Sequence, residues 1–240
     1  THDWQWHIQF NYTTSEMVVE ELYGDLESLD ITSAPFRGVY LRASVCDEYG
    51  QLWGYDYLYD DNGNKVLTSG GYYQTTNNLV PLGSVYPDYN LGISNNISYK
   101  DFDLGFLIDI QKGGKFYSVS HMWGMYSGML EETAGVNDRG NEIRDPVNAI
   151  TDIIVNDDGI EEEIIIGYEN NTGGILLDGV QGDVTFNDDG TYTVTNVVEN
   201  TTYASGAGWA HRFYHGYGTP SAQSTFDADY IKLREVSLGY

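Results

Sequence analysis

The sequence predicts an all-β chain built from long antiparallel strands, and three of its features support that fold class. The segment "DWQWHIQFNY" (3–12) alternates strictly between large apolar and polar side chains, as a strand does when its two faces meet different surroundings. The 240 residues include 21 tyrosines and 28 glycines, a composition rich in strand-forming and turn-forming residues. Asn62-Gly63 and Asp189-Gly190 are flanked by strand formers and predict two tight hairpins.

Four long strands are predicted, near residues 3–13, 91–99, 102–112 and 230–240. The first strand has the clearest alternation, and each of its two parities carries one kind of side chain. The apolar parity holds Trp4, Trp6, Ile8 and Phe10, and the polar parity holds Gln5, His7, Gln9 and Asn11. A strand with this pattern has one apolar face and one polar face.

The second and third strands form a predicted hairpin across the very short turn Lys100-Asp101. In the third strand, apolar and acidic side chains again fall on opposite parities. The apolar set is Phe102, Leu104, Phe106, Ile108 and Ile110, and the acidic set is Asp101, Asp103 and Asp109. The last strand alternates only near its end, because charged residues at 232, 234 and 235 break the pattern in its first half.

Two long segments, residues 14–90 and 113–227, connect these strands, and we interpret both as loops rich in Gly, Asn, Asp and Tyr. Two short stretches within them, "MVVEEL" (17–22) and "NAITDII" (148–154), are interpreted as helical or irregular pieces. The predicted connections are therefore one very short turn and two very long loops.

Alternation alone does not say which face of a strand is buried, so two architectures remain open at this point. A β-sandwich would bury the apolar face in a protein core. A transmembrane barrel would turn the same face toward lipid. Strands of about ten residues, aromatic residues at the strand ends, and alternating short and long connections are typical of membrane-spanning strands.

The charge of the chain limits its partners. With 36 Asp and Glu against 11 Lys and Arg, the formal net charge is -25. No nucleic-acid partner is expected, because phosphate binding needs clustered cationic residues. A solvated acidic surface explains the carboxylates better than a metal site does. We expect no signal peptide, no membrane-spanning helix and no internal disulfide, since Cys46 is the single cysteine.

Several segments match motifs of a known family. Gly83, Pro87 and Asp88 match a Gly-x-x-x-Pro-Asp stretch, and Gly113 and Gly114 match a pair of glycines that ends a strand. Tyr89, Gly92, Ser98, Tyr99 and Lys100 match the hairpin between these motifs. Residues 50–64 match a Gly- and Tyr-rich region, and "DADYIKLREVSLGY" (227–240) matches a closing segment. These features resemble the C-terminal barrel region of SusC/RagA-type TonB-dependent outer-membrane transporters.

This resemblance implies a partial antiparallel up-and-down transmembrane β-barrel with long extracellular loops, a fragment of a larger multi-pass protein of a Gram-negative outer membrane. The nine apolar residues named on the first and third strands would face lipid, and the seven polar or acidic ones would face the lumen. The resemblance also implies four partners: outer-membrane lipid, a SusD-like surface lipoprotein, the TonB complex acting through a missing N-terminal part, and an oligosaccharide or peptide ligand.

Catalysis is not expected. The carboxylate pairs lie mostly beside turns, and none is identifiable as the flanking pair of a glycosidase. His211 and His215 have zinc-like spacing only on a helix, which the surrounding glycines disfavour, and the Asp-Gly loops lack a full set of calcium ligands, so neither a metal nor a cofactor is expected. Flat rings on outward loops suit contact with a sugar or peptide. The substrate-binding candidates are Trp123, Tyr126, Trp209, Phe213, Tyr214 and Tyr217.

We therefore expect part of an energy-coupled importer of glycans or peptides, which forms barrel wall and substrate-facing loops. The alternative is a soluble secreted β-domain that binds carbohydrate. A glycoside hydrolase is a third candidate, for which the sequence supplies no identifiable carboxylate pair.

Overall fold

The computed structural model describes residues 3–34, 38–144, 148–155, 159, 161–169, 173–204 and 220–240. The chain divides into two units. Unit 1 comprises Thr1–Gly54, Val80–Tyr117 and Thr225–Tyr240, and unit 2 comprises Tyr55–Leu79 and Ser118–Ser224.

Most of the described elements are antiparallel strands, so the prediction of an all-β chain is confirmed. In chain order the strands are β1 (Trp4–Thr13), β2 (Ser28–Ser33), β3 (Tyr40–Ser44), β4 (Gln51–Gly54), β5 (Val66–Leu67), β6 (Val80–Ser84), β7 (Pro87–Tyr99), β8 (Phe102–Gly113), β9 (Lys115–Tyr117), β10 (Asn148–Val155), β11 (Glu161–Glu169), β12 (Val180–Phe186), β13 (Tyr192–Glu199), β14 (Thr225–Asp227) and β15 (Tyr230–Gly239). One short helix, α1, spans Val119–Ser127, and 3₁₀ turns cover Glu131–Thr133 and Ser221–Ser224.

Unit 1 is built around a four-stranded antiparallel sheet with the order β1-β7-β8-β15, called the wall sheet below. Its strands are the four long strands that the sequence predicts. β7 and β8 are joined by the two-residue turn Lys100-Asp101, with Tyr99 directly opposite Phe102. Lys100 takes the positive φ of 55° that such a tight turn requires.

The wall sheet is an open sheet within the described residues. β1 and β15 each pair on one side only, so the structure describes four strands of a sheet and no closed barrel. Among the described residues, no helix is long and apolar enough to cross a membrane.

A β-bulge in β15 explains why the alternation in the last strand breaks. Leu233 lies opposite Ile108 and Glu235 lies opposite Leu107, so Arg234 is an extra residue without a partner on β8. A single extra residue reverses the parity of everything that precedes it. The bulge therefore brings Leu233, and Ile231 opposite Ile110, onto the same face as Val236 and Leu238.

One polar side chain lies on the apolar side of β7. Asn95 has the parity of Leu91, Ile93, Ile97 and Tyr99, and it pairs with Ile8 on one side and Phe106 on the other. Its side chain is only 6% exposed, and its Oδ1 accepts a hydrogen bond of 3.2 Å from the indole Nε1 of Trp6. A buried amide oxygen needs such a donor.

Unit 1 also contains a second antiparallel sheet, with the order β2-β3-β4-β6, and the short pair β9-β14. β6 precedes β7 along the chain, β9 follows β8, and β14 precedes β15. Three strands of the wall sheet are thus continued by shorter strands at the end opposite the Lys100-Asp101 turn. Buried Val39, Ala43 and Leu52 supply the apolar packing of this second sheet.

Unit 2 has its own small core, formed by buried Leu67, Met125, Ile143, Leu177 and Ala204. The hairpin β12-β13 turns at Asn187–Gly190, and β5 adds to it in parallel, so the hairpin predicted at Asp189-Gly190 is confirmed. α1 is capped by Ser118, whose hydroxyl accepts from the backbone N–H of His121.

The interpretation of two short stretches as helical or irregular is half wrong. The "MVVEEL" stretch is irregular apart from an isolated bridge between Val18 and Glu48. The "NAITDII" stretch is instead strand β10, paired with β11. β-branched residues dominate it, and pairing with a second strand outweighs its weak helical period.

Deleting Arg234 tests the bulge. Without its extra residue β15 becomes a regular strand, so every apolar pair with β8 is expected to stay in place. In a Cys46→Ser background, disulfide cross-links should form both between Ile231→Cys and Ile110→Cys and between Leu238→Cys and Leu104→Cys, with and without Arg234. Loss of either cross-link on deletion would contradict the bulge.

Replacing Trp6 with phenylalanine tests the bond to Asn95. The variant leaves the amide oxygen without its donor, and we expect the free energy of unfolding to fall by about 1–3 kcal/mol. Adding Asn95→Leu should recover most of the lost free energy of unfolding, because no buried polar group is then left without a partner. Trp4→Phe is the matched control, since Trp4 contacts the Tyr99 ring and should change stability by only about 0.5 kcal/mol. Equal losses in both tryptophan variants would refute this role.

Candidate functional site: the two faces of the wall sheet

Cross-strand register assigns the side chains of the wall sheet to two faces. The apolar face carries all nine predicted lipid-facing residues in register with their neighbours: Trp4, Trp6, Ile8, Phe10, Phe102, Leu104, Phe106, Ile108 and Ile110. β7 adds Leu91, Ile93, Ile97 and Tyr99, and β15 adds Ile231, Leu233, Val236 and Leu238. The result is a continuous apolar surface across four strands.

This apolar face is exposed, not buried in the chain's own core. Trp6 is 67% exposed and Leu238 is 77% exposed, whereas Leu67 in the core of unit 2 is fully buried. Phe106, on the central strand β8, is half-buried between its neighbours. Exposed apolar surfaces of this extent mark contact with another molecule or with lipid.

Aromatic rings border the apolar face at both ends. At the Lys100 end, Trp4 lies 4.4 Å from Tyr99 and Phe102 lies 4.9 Å from Tyr240, between ring centroids. Because Tyr99 is paired with Phe102, these four rings form a row across all four strands. At the other end, Tyr12 stacks on Tyr89 with centroids 5.6 Å apart. Ten residues of β7 separate Tyr89 from Tyr99, about 33 Å along a strand.

The opposite face is polar. It carries the predicted lumen-facing residues Gln5, His7, Gln9, Asn11, Asp103 and Asp109, whereas Asp101 lies in the turn between β7 and β8. Amide and hydroxyl groups dominate its β1 and β7 half, and charged groups its β8 and β15 half.

A charged cluster occupies the β8 and β15 half of the polar face. The bulge residue Arg234 donates to Asp109 through Nε at 2.8 Å, and the Tyr230 hydroxyl donates to the same carboxylate at 3.1 Å. Lys232 lies with its Nζ 3.8 Å from the Tyr230 ring centroid. The bulge thus places the Arg234 side chain on the polar face, where it has a carboxylate partner.

Some of the residues that match the family motifs, among them Asp88, Gly113 and Gly114, meet at one place, called the joint below. It lies where β7 and β8 leave the wall sheet, opposite the Lys100 end. Gly113 donates its N–H to the Asp229 carboxylate at 2.6 Å, and Ala228 donates its N–H to the Gly114 carbonyl at 2.9 Å. Lys112 forms an ion pair with Asp229. Residues far apart in the sequence are therefore fixed together at this edge.

Glycine is required at two positions of the joint. Gly113 has a φ of +80°, and a Cβ there would lie 2.5 Å from Cγ of Asp88. Gly83 has a φ of +125°, and its Cβ would lie 2.8 Å from Cδ of Lys115. The positive φ disfavours a side chain at both positions, and at Gly113 the backbone N of Asp88, 2.7 Å from such a Cβ, excludes it as well.

Two predicted substrate-binding residues lie on α1. The Trp123 and Tyr126 rings meet edge to face with centroids 5.4 Å apart, and Trp123 is 39% exposed. The buried side of the same helix carries Met122 and Met125. The other four candidates, Trp209, Phe213, Tyr214 and Tyr217, lie outside the described residues, as do His211 and His215.

No group of three or more His, Cys, Asp or Glu side chains in the described part of the chain is placed to hold a metal ion. In the Asp60–Asn64 turn, the Asp60 carboxylate accepts from the backbone N–H groups of Asn62 and Asn64 at 2.9 and 2.8 Å. These bonds, led by one from the Asn64 side chain, lower the Asp60 pKa. The Asp60 carboxylate thus finds its hydrogen-bond donors within its own turn.

The alternation pattern does not predict three features of the wall sheet and the joint. Asn95 has a signal in the sequence, because it is the polar member of an otherwise apolar odd-numbered set on β7. The apolar roles of Ile231 and Leu233 depend on the bulge, and the role of Asp229 depends on contacts with a segment more than 110 residues away. Neither has a local signal in the sequence.

Comparison with known proteins gives one informative similarity. No family model matches the sequence. The chain is 28% identical to TonB-dependent receptor P26 of Formosa agariphila over 116 residues, which cover 43% of this chain. The matched region spans 11% of that relative's length. This similarity supports a relationship to the TonB-dependent transporter family and, with it, an outer-membrane location.

Proposed function

We propose that the chain forms part of the barrel of a SusC/RagA-type TonB-dependent importer, with the wall sheet crossing the outer membrane. The observation that carries this proposal is the exposed apolar face, bordered by a row of aromatic rings at the Lys100 end and by the Tyr12–Tyr89 pair at the other. At the tilt of about 35–45° usual for barrel strands, 33 Å of strand corresponds to a height of about 25 Å. The apolar band of outer-membrane barrels has that height and is flanked by aromatic girdles.

In this proposal the two faces of the wall sheet contact different surroundings. The apolar face contacts lipid, and the polar face with its amides and the Asp109–Arg234 pair lines the lumen. Charged side chains are unfavourable on a lipid face by about 2–4 kcal/mol at the midplane for Arg or Lys, and much less so in a lumen. Trp6 shields and satisfies Asn95, which removes the penalty for an amide on the lipid side.

The open edges fit a partial barrel. Backbone groups along β1 and β15 need partners in hydrocarbon, and further strands of the same transporter supply them. Energy reaches the importer from the TonB complex through another part of the protein, and a SusD-like lipoprotein covers the extracellular side. The chain contributes wall and loops, and no catalytic step.

The cargo is an oligosaccharide or a peptide. The exposed Trp123 ring, with Tyr126 edge-on beside it, offers a flat surface to such a ligand. A soluble secreted β-domain that binds carbohydrate is the second candidate, and the β-rich unit 2 with its own core favours it. The two candidates differ in what covers Phe106.

A spin label at Phe106→Cys in a Cys46→Ser background separates the two. On a lipid face the label should be relaxed by oxygen dissolved in the membrane and protected from a water-soluble nickel complex. The matched label at His7→Cys, on the polar face, should show the opposite preference. Shielding of position 106 from both reagents would place it in a protein core, and the transporter proposal would fail.

The orientation has a separate test. Unit 2 is inserted between strands that lie beyond the joint, so we expect its β12-β13 turn outside the cell and Lys100 in the periplasm. In the Cys46→Ser background, a bulky thiol reagent should label Asp188→Cys on intact cells that carry the whole protein. Lys100→Cys should react only after the outer membrane is permeabilised. The reverse pattern would overturn this orientation.

A further inference from the structure

Unit 2 carries a second aromatic surface, none of whose residues is among the predicted substrate-binding candidates. The rings of Tyr73 and Tyr57 lie 5.0 Å apart, and Tyr57 is followed by Tyr59 at 6.4 Å, between centroids. The hydroxyl of Tyr192 accepts from the backbone N–H of Tyr59 at 3.0 Å, and its ring lies 6.3 Å from Phe186. These five residues form two groups of neighbouring rings, Tyr73–Tyr57–Tyr59 and Tyr192–Phe186, which the hydrogen bond between Tyr59 and Tyr192 connects; together they are called the aromatic ribbon below.

The aromatic ribbon is partly exposed although it adjoins a folded core. Tyr59 is 38% exposed and Phe186 is 39% exposed. The core cluster of unit 2 is formed by other residues, and Tyr73 is the only ring of the ribbon that packs against it among the described contacts. Flat rings that are partly exposed offer a surface on which a ligand can stack.

One part of the ribbon is already filled by the chain itself. Tyr57 and Tyr73 meet at 83° and form a corner. The Nζ of Lys65 occupies this corner, 4.6 and 5.0 Å from the two ring centroids, and also pairs with Asp178 at 3.2 Å. Burial, then the neighbouring Tyr59, Asp178 and Asp56, raises the pKa of Tyr57, so its hydroxyl stays neutral. A cationic peptide side chain would find this cation–π site occupied.

The groups that remain available suit a neutral polyol. The Asp178 side chain is 74% exposed; one of its oxygens pairs with Lys65 and the other accepts from the Tyr73 hydroxyl, and each keeps a lone pair that can accept from a further hydroxyl group. Tyr59 and Phe186 present ring surface for the C–H faces of pyranose units. A net charge of -25 disfavours uronic-acid polymers and acidic peptides by repulsion. A series of rings, as opposed to a single one, suits an extended chain of sugar units.

We propose that the aromatic ribbon, with Asp178 beside it, binds an uncharged oligosaccharide. The inference rests on the proposed import function in one respect, namely that the bound chain is cargo. Tyr59 supplies the stacking platform, Asp178 accepts from sugar hydroxyls, and Lys65 holds Asp178 in place. This surface is separate in residues from the Trp123 and Tyr126 pair.

Calorimetric titration of the intact protein in detergent tests the proposal. The probes are neutral hexasaccharides with α-1,4- and β-1,4-glucose, β-1,3-glucose and β-1,4-xylose backbones, together with a galacturonic acid hexamer and a lysine-rich hexapeptide. At least one neutral hexamer should bind, and Tyr59→Ala should weaken it by about tenfold or more. Tyr59→Phe should restore binding, because it keeps the flat ring.

Tyr23→Ala is the matched control, since Tyr23 is 96% exposed and lies in unit 1. Three outcomes would overturn the proposal: no neutral hexamer binds, the acidic hexamer or the peptide binds better, or Tyr23→Ala weakens binding as much as Tyr59→Ala. The spin label at position 106 reads the membrane face independently. A lipid-exposed Phe106 with no sugar binding refutes the ribbon alone, and a buried Phe106 with sugar binding refutes the importer alone.

Discussion

The wall sheet depends on one constraint, which is that side chains on a strand alternate strictly between two faces. In a single-layer sheet both faces meet their surroundings directly. A shift of one residue in the alternation of a strand would therefore put its apolar side chains on the polar face and its charged side chains on the apolar face. The bulge at Arg234 keeps the apolar side chains of both halves of β15 on the same face. The guanidinium of Arg234 itself donates to the Asp109 carboxylate on the polar face. Arg234 thus both aligns the apolar residues of β15 and places its own charge next to a carboxylate.

Alternation fixes phase but leaves register open, because a slip of two residues keeps every side chain on its face. The Trp6–Asn95 hydrogen bond opposes a slip in one direction between β1 and β7, because with Asn95 opposite Phe10 the place of Trp6 would be taken by Ile8, which has no donor. At the other end, Gly113 of β8 packs closely against Asp88 of β7 and donates its N–H to Asp229, which directly precedes β15. Such specific contacts favour one register where apolar pairing alone allows several.

The sequence predicts much of this arrangement because the information is local. Strict alternation identifies β1 and β8, and the two-residue turn identifies their hairpin partner β7. The first half of β15 is not predictable by parity, because a bulge is recognised only when the partner strand is known. The second sheet and the β9-β14 pair are not predicted, since their strands have only three to six residues and β14 is more than 100 residues away from β9 in the sequence.

The chain has two exposed aromatic surfaces, and the polar groups beside the rings differ between them. The rings that border the wall sheet flank an apolar band, and the single amide within the band is satisfied by Trp6. The rings of the aromatic ribbon lie beside a largely exposed carboxylate and a caged ammonium. A surface that meets hydrocarbon gains nothing from an exposed carboxylate, whereas a surface that selects a hydroxyl-rich ligand requires a hydrogen-bond acceptor next to its rings. The polar groups around each ring set, more than its exposure, distinguish the two surfaces.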